Sequence, residues 1–265
     1  MLKIITTLTL FLIGIVAKGQ VVENRTVSGF SKVEVKNGIE LIYTESKTPS
    51  LQIEAQDHCF LNNIMTEVKG NTLKIYLSKN GNQNEKLVKV HLSAQNLTAF
   101  EANSKAKIRV INQISADNVN IILNSESQFY GTTVSKEKTK LTANIGTVFN
   151  GRVETSSFIG NFKDNAKINL SGGTQNARFQ TTDTTLLDAK NFIANTVNLN
   201  ATGKSLAMIH VDKTIAVSVA DEAKVSYTGF PDKIKMNEDA TATPKTINYQ
   251  SLTFNYYNNE TQKKK

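Results

Sequence analysis

One cysteine in the whole chain, Cys59, rules out an internal disulfide, so stability must come from packing. In an oxidising compartment a lone thiol is tolerated best when it is buried. His58 stands beside it, but His91 and His210 are distant in sequence and make no second Cys/His cluster. Cys59 is therefore read as structural rather than as a metal ligand, and no metal or cofactor is expected. Arginine is never clustered. Basic residues are spread singly among acidic ones, apart from the tail Lys263-Lys264-Lys265, whereas a nucleic-acid surface gathers Lys and Arg on one face with stacking aromatics. Nucleic acid is excluded as a partner on that ground. There is no G-x-S-x-G elbow, no H-E-x-x-H pair, no phosphate-cradling glycine loop and no D-x-D-x-D-G calcium loop. Helical periodicity is missing too, except that residues 58–68 have room for one helical turn.

What is present begins with a secretory pattern. Lys3 supplies a positive start, residues 4–16 are uncharged and mostly apolar, and Ala17-Lys18-Gly19 is a small-x-small cleavage site before Gln20. The apolar run is too short to span a bilayer, and no later segment is apolar enough to do so. No cysteine follows the run, so a lipid anchor is not expected. Removing residues 1–19 takes away Lys3 and Lys18, which lowers the net charge from +8 to about +6. The mature chain is expected to be soluble and exported, to the periplasm or the cell surface. Mild attraction to an anionic surface is compatible with this charge.

Residues 20–28 read as an exposed leader. From Gly29 to Leu92 apolar residues alternate with polar ones, the period of half-buried strands. Asn37-Gly38 lies between Val33-x-Val35 and Ile39-x-Leu41-x-Tyr43 and predicts a two-residue hairpin turn. Gly70-Asn71 precedes Leu73-x-Ile75-x-Leu77 in the same way, Leu51-x-Ile53-x-Ala55 is a further strand, and a polar loop over 79–86 precedes Val88-x-Val90-x-Leu92.

From Phe100 to Tyr227 the chain repeats itself. Seven segments stack in register: FEANSKAKIRV (100–110), IILNSESQFYG (121–131), LTANIGTVFNG (141–151), FKDNAKINLSG (162–172), FQTTDTTLLDA (179–189), LNATGKSLAMI (199–209) and VSVADEAKVSY (217–227). Their spacings are 21, 20, 21, 17, 20 and 18 residues. The first and ninth columns are apolar throughout, the seventh is mostly small, and the eleventh carries Gly131, Gly151 and Gly172. A period near twenty suits one turn of a β-solenoid whose coils pair by parallel ladders about 4.8 Å apart. The chain is thus read as all-β, a parallel β-solenoid of about seven coils behind hairpin-rich strands. The units are a cap over 29–99, the coil array over 100–227, a closing cap over 228–247, and a C-terminal strand with its basic tail over 248–265. The fourth column reads Asn103, Asn124, Asn144, Asn165, Thr182, Thr202, Ala220. Asparagine tolerates left-handed backbone, and identical amides one coil apart can bond in a ladder, so this column is read as a bend ladder rather than a binding surface. The glycine column is read as a corner needing positive φ.

The last coil reads Ala223-x-Val225-x-Tyr227-x-Gly229-x-Pro231. This run resembles the closing motif of the auto-transporter adhesin head GIN domain family, exported bacterial proteins common in Bacteroidetes. Gly29-Phe30-Ser31-Lys32-Val33-x-Val35, Gly38-Ile39-x-Leu41 and Gly70-Asn71-x-Leu73-x-Ile75 are similar to its opening. The resemblance covers about residues 28–247 and departs at Glu238-Asp239, where a glycine is expected. It implies a right-handed parallel β-helix and carries no established catalytic residues.

Two functions are carried forward. The first is an exported, non-enzymatic, adhesin-like envelope protein that binds a glycan or protein ligand through its solenoid faces. The second is a polysaccharide-active lyase or hydrolase. The best carboxylate pair for it is Asp183 and Asp221, which share the fifth column two coils apart with Gly203 between them and Glu222 alongside. Two coil spacings are about 9–10 Å, around the upper limit for an inverting pair. The aromatic tail with Tyr249, Phe254, Tyr256 and Tyr257 is read as a strand on the last coil, with docking to another subunit as the alternative.

Overall fold

A computed structural model describes residues 21–56, 58–78 and 88–237. The secretory segment 1–19, the loop 79–86, Glu238-Asp239, Pro244 and the aromatic and basic tail lie outside the described residues, as do the side chains of His58 and Cys59. The described chain is almost entirely strand. It runs β1 (Val21–Arg25), β2 (Lys32–Val35), β3 (Glu40–Glu45), β4 (Ser50–Ala55), a single helical turn α1 (His58–Leu61), β5 (Ile64–Lys69), β6 (Thr72–Leu77), β7 (Lys89–Ala94), β8 (Ala99–Ala102) and β9 (Lys107–Val110). The long strands of the array follow as β10 (Ile114–Leu123), β11 (Gln128–Ala143), β12 (Val148–Phe162), β13 (Lys167–Thr181), β14 (Leu186–Ala201) and β15 (Leu206–Val219). The chain closes with β16 (Lys224–Thr228) and β17 (Lys233–Met236).

From β8 onward each coil pairs in parallel with the next, β10 on β11, β11 on β12, and so on to β15 on β16 and β17. Successive coils are joined by four-residue turns beginning at Asn103, Asn124, Asn144, Lys163, Thr182, Thr202 and Ala220, spaced 21, 20, 19, 19, 20 and 18 residues apart. The period is thus more even than the sequence alignment makes it, because the fourth row of that alignment slips by two. Leu141 pairs with Gly160 and Gly160 with Phe179, so Gly160, not Phe162, occupies the first column. Ile168 rather than Leu170 takes the ninth, between Phe149 and Leu187. The seventh column becomes Ala106, Ser127, Thr147, Ala166, Thr185, Ser205 and Ala223, all small and all buried.

The slip has a packing cause. A Cβ on Gly160 would lie 2.4 Å from Phe162 Cζ and 3.0 Å from Phe158 Cε1, so two rings on the same face fill the place that a large residue holds in the other coils. Gly160→Leu, which would make the repeat more regular, is expected to destabilise the fold by about 1–3 kcal/mol through overpacking. The double variant Gly160→Leu with Phe162→Ala should recover much of that loss. Urea unfolding of both reads the coupling, and simple additivity would contradict the account.

Asn37-Gly38 does form a tight turn, with φ of 62° and 70°, but it joins no antiparallel hairpin. β2 pairs in parallel with β6 and β8, and β3 with β7 and β9. Residues 32–45 are therefore a coil of the solenoid, whose turn stacks on the next through Gly38 N–H donating to Ser104 O at 2.9 Å. This coil sits between one built from β6 and β7 and one built from β8 and β9. Gly70-Asn71 makes a true hairpin, β5 antiparallel to β6. β4 lies antiparallel on β7 and β1 on β4, so part of the expected leader is an edge strand. Arg25 fastens it, donating to Ile64 O at 2.6 Å and Thr66 Oγ1 at 3.1 Å. Charged Glu23 and Arg25 on this outer edge disfavour pairing with another chain. At the far end β17 pairs with β15, and Asn237 mimics a strand by accepting from Val219 N–H at 3.0 Å and donating to Val219 O at 2.9 Å.

The core is one continuous ridge of Val, Ile, Leu and Phe. Phe129 stacks on Phe149 with centroids 5.2 Å apart and planes 9° from parallel, the arrangement that in-register coils impose on identical neighbours. Tyr43 is fully buried against the edge of Phe100, and its hydroxyl donates to Ala94 O at 3.0 Å. Burial, with a smaller contribution from Glu45, pushes its phenol far above the ordinary value of 10. The unfolded chain would release that proton near pH 10 while the folded protein retains it, so stability is present below about pH 10 and falls above it. Between pH 9 and pH 11, Tyr43→Phe should lose about 1 kcal/mol less stability than the parent protein, measured by urea unfolding at both values. Equal losses would show that Tyr43 is not the titrating group.

Candidate functional site

The asparagine column is a bonded ladder over three coils. Asn144 Nδ2 donates to Asn124 Oδ1 at 2.8 Å, Asn124 Nδ2 to Asn103 Oδ1 at 3.0 Å, and Asn103 Nδ2 to Glu101 Oε1 at 2.9 Å. Asn165 is not a member. Lys163 occupies that turn position, and Asn165 stands two residues on with φ of 66°. The left-handed backbone therefore belongs to Asn165 and not to the three ladder asparagines; in their turns the next two residues carry it, Ser104 and Lys105, Ser125 and Glu126, Ile145 and Gly146. The glycine column is corrected likewise. Gly172 pairs with Val153 and so leaves it, while Gly151 is held by close approach, since a Cβ there would lie 2.7 Å from the Phe149 ring.

The turns change character along the rod. In those beginning at Lys36, Asn103, Asn124, Asn144 and Lys163 both central residues have positive φ, the type I′ pattern. In the last three only the first does, at Asp183, Gly203 and Asp221, the type II′ pattern. The carboxylates proposed for catalysis serve these turns. Asp183 Oδ2 accepts from Thr182 Oγ1 at 2.8 Å and from Asp164 N–H at 3.4 Å, and Asp221 Oδ2 accepts from Gly203 N–H at 2.9 Å. Each reaches back to an amide one coil earlier. Glu222 faces Lys204 Nζ at 3.7 Å. The residues share a column, as their spacing indicates, but each side chain is engaged with its neighbouring turn.

The closing motif is built into the end of the wall. Val225 pairs with Ala207 and Tyr227 with Ile209, and Ala223, Val225 and Tyr227 are buried. Gly229 has φ of 96°, and a Cβ there would lie 2.0 Å from Val211 O. Pro231 follows Phe230, which is 95% exposed. A relay that sequence spacing does not mark lies beside it: His210 Nδ1 is 2.8 Å from Thr228 Oγ1 and Nε2 is 3.1 Å from Asp212 Oδ1. His210 and Thr228 are register partners, so the relay is a side-chain tie between two coils. Among the described residues no three His, Cys, Asp or Glu side chains converge as a metal site.

The outer surface carries its own columns. One row on the flat face reads Thr72, Lys32, Ala99, Asn120, Lys140, Ile159, Arg178, Asn198, Ala216. Near its start the face is hollowed into a groove of about 580 Å³, bounded by Lys32, Thr98, Ala99, Glu101, Asn118, Asn120, Ile122, Lys138 and Lys140. Beside it Glu34 holds two ammonium groups, Lys36 at 2.5 Å and Lys74 at 3.7 Å, and its hydrogen bond raises the pKa of Lys36 despite partial burial.

An uninterrupted parallel β-solenoid with tight turns, antiparallel strands at its N-terminal end and polar rows outside defines the class of fold. The family model described as "Putative auto-transporter adhesin, head GIN domain" matches residues 29–231, and the chain belongs to that family. Solved structures share the fold. A putative adhesin from Parabacteroides merdae aligns with a TM-score of 0.72 at 19% identity, over 82% of this chain and 92% of that one. A putative adhesin from Parabacteroides distasonis gives 0.70 at 18%, over 83% and 94%. A protein described as a putative lipid binding protein from the same organism gives 0.61 at 14%, over 82% and 94%. No curated protein matches the chain.

Proposed function

We propose that this is an exported, non-catalytic envelope protein, periplasmic or at the cell surface, that binds an external glycan or protein through the outer faces of its solenoid. The observation that carries the reading is the flat face on which outward side chains fall in register, coil after coil, at the strand spacing of about 4.8 Å. Such rows suit a ligand that is itself repetitive. Membership of an adhesin-described family and the secretory pattern of residues 1–19 support the same reading. The employment of Asp183 and Asp221 in turn bonding favours it over a polysaccharide lyase or hydrolase. The test is binding of the mature chain to panels of envelope and host glycans and proteins, with sugar release assayed in parallel. Saturable binding without release is the expected result. Release that disappears in Asp183→Asn would replace the reading with the enzymatic one.

A further inference from the structure

We infer that the groove around Ala99 is a binding site for an acidic polysaccharide, a chain of sugars bearing uronic carboxylates. This rests on the binding role proposed above and names its ligand class. Ala99 is the small member of a row whose neighbours are Lys32 on one side and Asn120 on the other, so the hollow is created where a short side chain stands among long ones. Its volume, about 580 Å³, lies within the range of about 300–1,000 Å³ that small-ligand sites occupy.

The charge of the site selects its occupant. Lys32, Lys138 and Lys140 line it, and none makes an ion pair or hydrogen bond among the described residues, whereas nearby Lys36 and Lys74 are both held by Glu34. One carboxylate lines it, Glu101, which accepts from the Asn103 amide at 2.9 Å, so the lining keeps a net positive charge. Three unpaired ammonium groups in one depression attract an anion. The polar lining then favours a sugar over a simple ion. Asn120 lines the groove and its side-chain oxygen has no partner in the protein, so turning the amide toward the groove would let it accept from a ligand hydroxyl. Thr72 and Thr98 add hydroxyls along the same edge. Nucleic acid is disfavoured, because single strands are held by stacking on exposed aromatics and the aromatic of the lining, Phe100, is buried in the floor.

The experiment uses the mature chain and two trisaccharides that differ only at C6, cellotriouronic acid and cellotriose, with oligo-glutamate of matched charge as a third probe, all measured by calorimetry. The acidic trisaccharide should bind, at least tenfold more tightly than the neutral one, and more weakly as salt is raised. Lys32→Gln, Lys138→Gln and Lys140→Gln combined should reduce that binding at least tenfold with an unchanged circular dichroism spectrum. Ala99→Phe, which fills the hollow and leaves the charge intact, should do the same. Binding of the acidic sugar that survives both variants would place it elsewhere and overturn the assignment. Equal binding of oligo-glutamate would also overturn it, by showing a site for any acidic chain, proteins included. If glycans outside the acidic class bind and these variants do not affect them, the inference falls and the binding role stands. If no glycan or protein of the wider panels binds, both fall.

Discussion

Phe179→Ala is expected to lower the free energy of unfolding by about 3–5 kcal/mol, at the upper end for a single truncation. The ring is the meeting point of an aromatic cluster, with centroids 5.6 Å from Phe158 and 6.4 Å from both Phe162 and Phe192. All four rings are buried, and they come from three successive coils, so the cavity left by truncation would open in the middle of the rod where no loop can collapse into it. Urea unfolding should show a lower midpoint with little change in slope. Phe230→Ala is the internal comparison. That ring is 95% exposed and its removal should cost almost nothing. A loss below about 1 kcal/mol at Phe179 would show that the neighbouring coils repack freely, contrary to the close packing expected of a core.

Gly172→Ala is expected to be comparably damaging, at about 2–5 kcal/mol, for a reason unrelated to cavities. Gly172 has φ of 108°, and a Cβ there would lie 2.2 Å from Val153 O and 2.9 Å from Val153 C. The obstacle is backbone, and Val153 is itself paired in β12 to the coils on both sides, so it cannot retreat without opening a ladder. The adjacent Gly173 separates position from residue type. A Cβ there would meet Glu154 Oε2 at 3.3 Å, the far end of an exposed side chain that can shift, so Gly173→Ala should be tolerated. A thermal melt of the two variants side by side should show a large drop for one and little for the other. Similar melting temperatures would contradict the geometry. Gly229 of the family closing motif stands in the same relation to Val211, so the glycine of that motif answers to the approach of the preceding coil.

How far the sequence discloses this molecule depends on how local the cause is. The coil period is legible because apolar residues recur at the first and ninth columns whatever the details of packing. It misleads in one coil, since reading by size places Phe162 where Gly160 stands; there the volume is supplied by flanking rings, which a column of letters does not show. The ladder of Asn103, Asn124 and Asn144 is legible because identical amides at one coil spacing have one obvious partner. The Asn37-Gly38 turn is legible and its strands are not, for the dipeptide specifies two φ values and says nothing about which edge a strand will join. Asp183 and Asp221 appear in the right column, but their bonds to turn amides depend on the direction each side chain takes. The lysine groove is invisible in sequence. It brings Lys32 into one depression with Lys138 and Lys140 only because the coil of β2 and β3 is inserted beside β8.

That insertion also orders events in time. A chain emerging N-terminus first delivers β2 and β3 early, yet each of their ladder partners, β6 and β8 for one and β7 and β9 for the other, is made later. The founding coil must wait, unpaired, until β6 and then β7 have appeared, and a long loop must close before the first parallel ladder exists there. Loop closure of that kind is slow because its entropy is lost before contacts compensate it. Every later coil finds a finished edge directly upstream and adds to it at once. The assembly of this rod is therefore one delayed event followed by a run of quick ones, with the direction of growth set toward the C-terminus.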